Sequence, residues 1–448
     1  MSTAFWLTRL APHLRVGLFE REGEAGGKVR GEHTAGFVFD WGPAGFVTNS
    51  ADLRALIDAL GLEGEVRHAT PAARRRYLYV GGRLQPLPGT PLAFLRSPLI
   101  PAAAKLRALA EPFVPRGRVE ESLYDFLARR FGRPVAEWIA DALAGGVSAG
   151  LAREVSTDAL FPRLAALERE HGSLLRAALK LAAAGRRGGA PRSGMLTLSG
   201  GTRRLSAALA DALGERLATR VGVRALRRTG EGFELELESG GSVSAARVVL
   251  AVPAPVGAVL LRDIAPGAAR SLADVAYADV VVHSLAYPAA AVPTELAGFG
   301  FLVAAGEEPR SLGAVYTSAL FPDQAPAGMT LLRVISGGRR DPGFLALSAD
   351  EALASVRRDL RLTLGVTAEP SAVWTKRWHD AIPQYRLRHA TQMAAAQAEL
   401  DVVGGLHLTG DVVAGIGVAA CVGHARALAY HLATGAAPAS LAPAGANA

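Results

Sequence analysis

The chain has 448 residues, half of them hydrophobic and one-fifth charged, which excludes a disordered or fibrous protein and provides material for two or three domains. Its 49 basic against 41 acidic residues leave a net charge of +8, a balance that suits nucleic acid, an anionic lipid surface or an acidic small molecule. No basic run is interleaved with aromatic residues, which argues against nucleic acid, and a single cysteine, Cys421, excludes a disulfide framework and a multi-thiolate metal site.

Residues 2–10 read as an apolar helix and residues 15–19 as a strand closed by Glu20. In dinucleotide-binding folds an acidic residue at this strand end bonds the adenosine ribose, about 20 residues after a G-x-G-x-x-G loop. Counting back from Glu20 passes Met1, so the reading expects an upstream strand and glycine loop outside this chain, and weak nucleotide retention without them. The single cysteine makes a reducing interior the default, and the opening residues carry no basic stretch ahead of an apolar one, so no secretory leader is expected there.

Residues 23–31 are glycine-rich and lead to a strand at 37–39 and a loop at 40–45. Ser50 then caps a helix over 51–60. Residues 77–84 form a hairpin about Gly81 and Gly82. Helical periodicity runs from Pro86 to about Lys180. Within it, 91–110 is the most apolar stretch, but Arg96, Lys105, Arg107 and three prolines interrupt it, so it suits a membrane surface or a pocket wall better than a membrane span. Residues 185–194 read as a solvated basic connector. Gly200 to Thr202 open a helix through Leu213, and strands are expected at 220–226, 233–237 and 246–252. The last is an unbroken apolar run, as in a parallel strand covered on both faces. Alternating strands and loops fill 277–336, a helix spans 350–364, a strand spans 406–408, and a helix runs from about 419 to 432. The Ala/Pro-rich end, 436–448, reads as frayed.

Two motifs carry chemistry. The first is Glu20 with Gly26 and Gly27, where bare glycine lets the backbone pass close to a ligand. The second is Gly410-Asp411 followed by Gly415, Ile416, Gly417 and Val418 at a helix start, where the carboxylate can accept hydroxyl hydrogen bonds and the helix N-terminus favours anionic groups. Two glycines alone say little for the first motif, and an ordinary strand-turn-helix connection would explain the second alone. Together, at opposite ends of the chain, they point to one discontinuous nucleotide site. No Ser-His-Asp or paired-carboxylate signature accompanies them, and the histidines lack metal-ligand spacing.

The segments GGKVRGEHTAGFVFDWGPAGF (26–46), RRYLYVGGRLQPLP (75–88), SLYDFLARRFG (122–132), GFGFLV (298–303), LGAVYTS (312–318), IPQY (382–385) and GIGVAAC (415–421), with 145–164 between them, resemble in order and spacing the flavin-dependent protoporphyrinogen/coproporphyrinogen oxidases of haem synthesis, within the flavin amine-oxidase-like superfamily. The resemblance implies an α/β fold (α+β overall) with three parts. These are a discontinuous Rossmann-like FAD domain lacking its first strand and glycine loop (1–68, 194–262, 400–436), a mixed-sheet substrate domain (69–84, 263–399) and a helical membrane-facing domain (85–193). A disordered tail (437–448) would follow. By the same resemblance Glu20 and Arg21 meet the adenosine ribose, Gly26, Gly27, Lys28, Gly42, Pro43, Ala44 and Gly45 line the pyrophosphate and flavin, and Val223 touches the adenine. Gly410, Asp411, Ile416, Gly417 and Val418 hold the ribitol and flavin edge. Arg76 pairs with a substrate propionate, Phe299, Gly300, Leu302, Val315 and Ile335 sandwich the tetrapyrrole, and Gly146 lies at the pocket floor.

The implied reaction takes hydride from a meso carbon of a porphyrinogen to the flavin, three times over, with molecular oxygen as acceptor; the flavin carries the chemistry and no side chain need be catalytic. The resemblance also implies peripheral attachment to an anionic membrane surface on the cytoplasmic side and allows a homodimer. The chain departs from the pattern at Ala419-Ala420, where relatives carry a polar pair, and at Arg388, where they carry glycine before the histidine. Alternatives therefore stay open: a non-catalytic porphyrin- or haem-binding paralogue, or another amine-oxidase-like flavoenzyme. Cys421 begins the last helix, where a thiol can acidify, but packing is the simpler account of it.

Overall fold

Apolar strands flanked by amphipathic helices leave two kinds of sheet in this chain. The computed structural model describes residues 1–89, 91–97, 100, 102–186, 194–293 and 296–436, so the tail at 437–448 and most of the basic connector at 185–194 lie outside the described residues.

The larger sheet is mixed and seven-stranded. Its spatial order is Ala372–Pro383, Tyr277–Pro288, Met329–Gly337, Ser311–Val315, Gly300–Val303, Tyr77–Val80 and Arg83–Pro86. All its neighbours are antiparallel except Gly300–Val303 beside Tyr77–Val80, which runs parallel and splices the early hairpin onto the later strands. Because side chains alternate across a strand, the sheet has two distinct faces. One, with Val281, Leu285, Phe301, Val303, Leu332 and Val334, buries against the helix Ala349–Leu364. Ser348 and Glu351 start that helix with a reciprocal capping box. The other face carries Val282 and Ile335 and meets Phe37, Phe39 and Trp41 of the first sixty residues.

The nucleotide-type half uses short parallel pairs. Leu18–Glu20 pairs with Leu217–Thr219, and Val248–Leu250 pairs with Leu406–Leu408. Helix Ser2–Leu10 packs on helix Val418–Thr434, with Ala51–Ala59 and Arg203–Leu213 around them. Thus both ends of the chain and its middle share one core. The apolar run at 246–252 is a strand over only Val248–Leu250, parallel as expected, and Val223–Thr229 begins three residues later than the sequence reading placed it. Helices Ala254–Leu261, Pro266–Ala273 and His389–Val403 were not read from the sequence.

The stretch from Ala102 to Arg186 is helical where described, with a buried ionic knot at its centre. Arg130 is fully buried, donates to Glu111 at 3.1 Å and also pairs with Glu168. Glu111 accepts from the backbone of Leu174 at 2.9 Å, so the knot ties the 3-10 turn at 111–113 to three helices, Leu123–Phe131, Pro162–His171 and Leu174–Arg186. Removing one partner would strand a buried charge, at a cost of about 3–5 kcal/mol.

Candidate functional site

The two motifs at opposite ends of the chain meet. Lys28 Nζ donates to Asp411 Oδ2 at 2.8 Å, with both side chains about one-third exposed or less. The loops on either side explain why this happens. A Cβ on Gly42 would overlap the Lys28 carbonyl oxygen, and one on Gly45 would come within 2.8 Å of the Leu196 carbonyl. Only glycine lets the 42–45 loop lie this close to the 26–28 turn. Gly26 (φ +130°) and Gly27 (φ +57°) form that turn in the left-handed half of backbone space.

On the C-terminal side, Gly410 (φ +98°) and Gly415 (φ +113°) bracket the Asp411 loop. Tyr385 fixes that loop from beneath. Its hydroxyl donates to the Asp411 carbonyl and accepts from Gly415 N–H at 3.0 Å. His389 stacks on the Tyr385 ring at 4.0 Å and its Nε2 contacts the Val412 carbonyl at 2.8 Å. Burial pushes the His389 imidazole down to about 4, so it is neutral and donates that hydrogen bond. Gln384 Nε2 donates to the Ser148 carbonyl at 2.8 Å and Ser156 N–H donates to the Tyr385 carbonyl at 2.7 Å. IPQY is therefore a junction joining the large sheet, the helical region and the Asp411 loop.

Glu20 ends its strand as expected, and its Oε1 accepts from Glu22 N–H at 3.0 Å. Arg21 is exposed beside it. Val223 is half-buried at the start of its strand, packed on the core that holds the 248–250 and 406–408 strands. Helix Val418–Thr434 starts at Gly417 with no side-chain cap, and Ile416 precedes it half-buried. A Cβ on Gly410 or Gly417 would meet no atom within 4 Å, so both border open space. A flavin nucleotide fits these residues: an uncapped helix start and an ammonium for its phosphates, a carboxylate for its hydroxyls, and bare glycines that a ligand can approach.

The expected substrate residues share one sheet face. Gly300 is in register with Val315, and Leu302 with Gly313, which is in register with Ile335. Gly146, on helix Arg133–Ser148, crosses this face, and a Cβ there would stand 2.8 Å from Leu302 Cδ2. Phe299, one residue before the strand, lies under the Arg76 guanidinium at 5.2 Å, and Arg76 is exposed.

Three functional features escaped the sequence reading. Asp40 is buried, and its Oδ1 accepts from Thr202 N–H at 2.8 Å and Thr202 Oγ1 at 2.7 Å. Desolvation pushes it up to about 6 despite those bonds. Arg333, buried on the same face as Ile335, donates to the Gly42 carbonyl and, at 3.4 Å, to the Trp41 carbonyl. The Tyr385 hydroxyl contacts are the third. Cys421 packs rather than acidifies: burial pushes its thiol up to about 12, and it donates to the Gly415 carbonyl at 3.3 Å. The Arg388 departure has a backbone cost, because this residue sits at φ +71°, where glycine would be unstrained; its N–H donates to Glu120 Oε2 at 2.7 Å. Among the described residues no group of His, Cys, Asp and Glu could hold a metal ion.

Comparison with known proteins adds the following. Residues 1–432 match the model of the flavin containing amine oxidoreductases. Human protoporphyrinogen oxidase is 33% identical over 431 residues, covering 89% of this chain and 88% of the human protein. Coproporphyrinogen III oxidase of Propionibacterium freudenreichii subsp. freudenreichii is 30% identical over 460 residues, covering 93% and 86%. A crystal structure from Exiguobacterium sp. 255-15 shares the fold, with a TM-score of 0.84 at 24% identity over 97% of this chain and 96% of that one.

Proposed function

Since the chain belongs to the flavin-containing amine oxidoreductase family, we propose that it is an FAD- and oxygen-dependent porphyrinogen oxidase acting in haem synthesis. The observation that carries this is the Lys28–Asp411 contact, which assembles the two halves of a nucleotide site beside a sheet face bearing Leu302, Val315 and Ile335. FAD supplies the redox chemistry, accepting electrons from the substrate and passing them to oxygen. The chain's own residues bind and orient. Asp411 and the uncapped start of helix Val418–Thr434 hold the polar parts of the cofactor, while Lys28 offsets negative charge. The apolar face with Gly146 above it takes the flat, apolar macrocycle and excludes water. Exposed Arg76, on the Phe299 side, pairs with a propionate in a bidentate contact. Protoporphyrinogen and coproporphyrinogen both carry such a carboxylate.

The experiment is oxygen consumption by the FAD-reconstituted chain with each porphyrinogen, alongside porphyrin fluorescence. Consumption that requires FAD and yields porphyrin supports the reading. Tetrapyrrole binding without oxygen uptake supports a non-catalytic paralogue instead.

The same proposal extends to location. Leu106, Phe113 and Val119 are 69%, 82% and 78% exposed, with Lys105, Arg116 and Arg118 close in sequence. Apolar side chains among basic ones suit the anionic surface of a membrane. No helix among the described residues is long and apolar enough to cross one. Sedimentation with anionic vesicles, lost in a Leu106→Ser/Phe113→Ser variant, is the expected result; retention by the variant would remove this part of the proposal.

A further inference from the structure

Arg333 is a strand residue of the large sheet, in register with Val315 on one side and Ser284 on the other. Since Ile335 is two residues on, all of these belong to the face assigned above to the macrocycle. The guanidinium nevertheless reaches the other half of the molecule, donating to the carbonyls of Trp41 and Gly42. Trp378 Nε1, from a further strand of the same sheet, also donates to the Trp41 carbonyl, at 3.0 Å. Gly42 packs so tightly on the Lys28 carbonyl that no side chain fits between, and Lys28 holds Asp411. A continuous contact path therefore runs from the substrate sheet through Arg333, Gly42 and Lys28 to the C-terminal motif.

The charge on this residue is weakly offset. Asp40 is the carboxyl that acts on it, and burial pulls the guanidinium down to about 10. A void of about 10 Å³, room for one water molecule, lies between Arg333, Asp40, Ala44, Val315, Thr317 and Gln324. Three of these carry buried polar atoms with no partner, Arg333 Nε, Thr317 Oγ1 and Gln324 Nε2. Gln324 Nε2 can only donate and the Thr317 hydroxyl can donate or accept, so Asp40 is the one carboxyl in this lining that faces the guanidinium. A buried cation aimed at the loop that borders the cofactor lowers the energy of an anion there, most strongly where water is excluded.

We propose that Arg333 is a positioning residue of the flavin site, contributed by the substrate sheet, which locks the 41–42 loop through its fork and favours the reduced, negatively charged form of the flavin through its charge. This rests on the functional reading above. It predicts separate consequences for the fork and for the charge.

The test uses the full chain reconstituted with FAD, comparing Arg333→Met, Arg333→Gln and Arg333→Lys by FAD titration and by redox titration of the bound flavin. Arg333→Met should bind reduced FAD at least tenfold more weakly, relative to oxidised FAD, than the parent does; for a two-electron couple this is a potential about 30 mV lower. Arg333→Gln, which keeps a donor for the Gly42 carbonyl, should show the same fall, and it carries the test if Arg333→Met does not fold. Arg333→Lys should keep the parent potential and bind both forms of FAD more weakly. A parent-like potential in the folded neutral variants overturns the inference while leaving the oxidase reading intact. A parent chain that takes up no FAD even at saturating FAD overturns both.

Discussion

Replacing Tyr385 by Phe removes one oxygen atom and leaves the ring that stacks on His389. Two hydrogen bonds go with it, one from the hydroxyl to the Asp411 carbonyl and one from Gly415 N–H to the hydroxyl at 3.0 Å. At about 1 kcal/mol each, their loss amounts to roughly 2 kcal/mol. The residue is 1% exposed, so water cannot replace them freely. Both bonds end on the loop bracketed by Gly410 and Gly415, whose geometry depends on them, so much of the loss should fall on cofactor binding rather than on global stability. If all of it does, the FAD dissociation constant rises by about thirtyfold, since 1.4 kcal/mol is a factor of ten. Flavin fluorescence titration measures the constant, and thermal unfolding of the FAD-free chain measures the remainder. An FAD affinity within twofold of the parent, with a lowered melting temperature, would refute the reasoning: Tyr385 would then support the core and not the loop.

Acid stability should turn on buried histidines. His283 is fully buried, neither ring nitrogen has a partner, and burial pushes it down to about 4. The unfolded chain takes up a proton near pH 6.5 while the folded one does not, so stability is retained above pH 6.5 and lost as pH falls towards 4, by about 2 kcal/mol at pH 5 from this residue. His283→Val should flatten the fall in urea midpoint between pH 7.5 and pH 5; an unchanged slope would contradict the assignment. Arg76→Ala should leave the melting temperature within a degree or two, because the side chain is exposed, yet raise the porphyrinogen KM by tenfold or more at similar kcat. Arg388→Gly should be neutral or stabilising in urea unfolding, since it relieves a positive φ and keeps the N–H bond to Glu120. Cys421 should resist a thiol reagent at pH 8 in the folded chain and react on denaturation.

The parts of the site legible in the sequence are those set by local backbone need. Gly26-Gly27, the 42–45 loop and Gly415 to Val418 announce themselves because only glycine tolerates those turns and close approaches. The Ser50 cap and the Gly81-Gly82 hairpin were readable for the same reason: a side-chain acceptor or a two-residue turn acts within a few residues. Arg333 was hidden because nothing in TLLRVIS distinguishes a solvent-facing arginine from one directed at a loop nearly 300 residues earlier. Asp40 was read as part of a loop, and its buried state depends on Thr202, also distant in sequence. Helices Ala254–Leu261 and Pro266–Ala273 start at prolines, Pro253 at the N-cap and Pro266 at the first helical position, where a missing N–H costs nothing and a proline gives no local sign that a helix follows it. Cys421 packs, the simpler of its two readings: helix position favours the thiolate, but burial outweighs it.

The central claim is that residues from both ends of the chain build one flavin site that opens onto a porphyrinogen-binding sheet face. It is tested most directly by adding porphyrinogen without oxygen to the FAD-loaded chain and following the flavin absorbance. The yellow colour is expected to bleach as porphyrin fluorescence appears, in proportion to bound FAD, and air should restore it. A chain that holds FAD and binds tetrapyrrole while its flavin spectrum stays oxidised would contradict it.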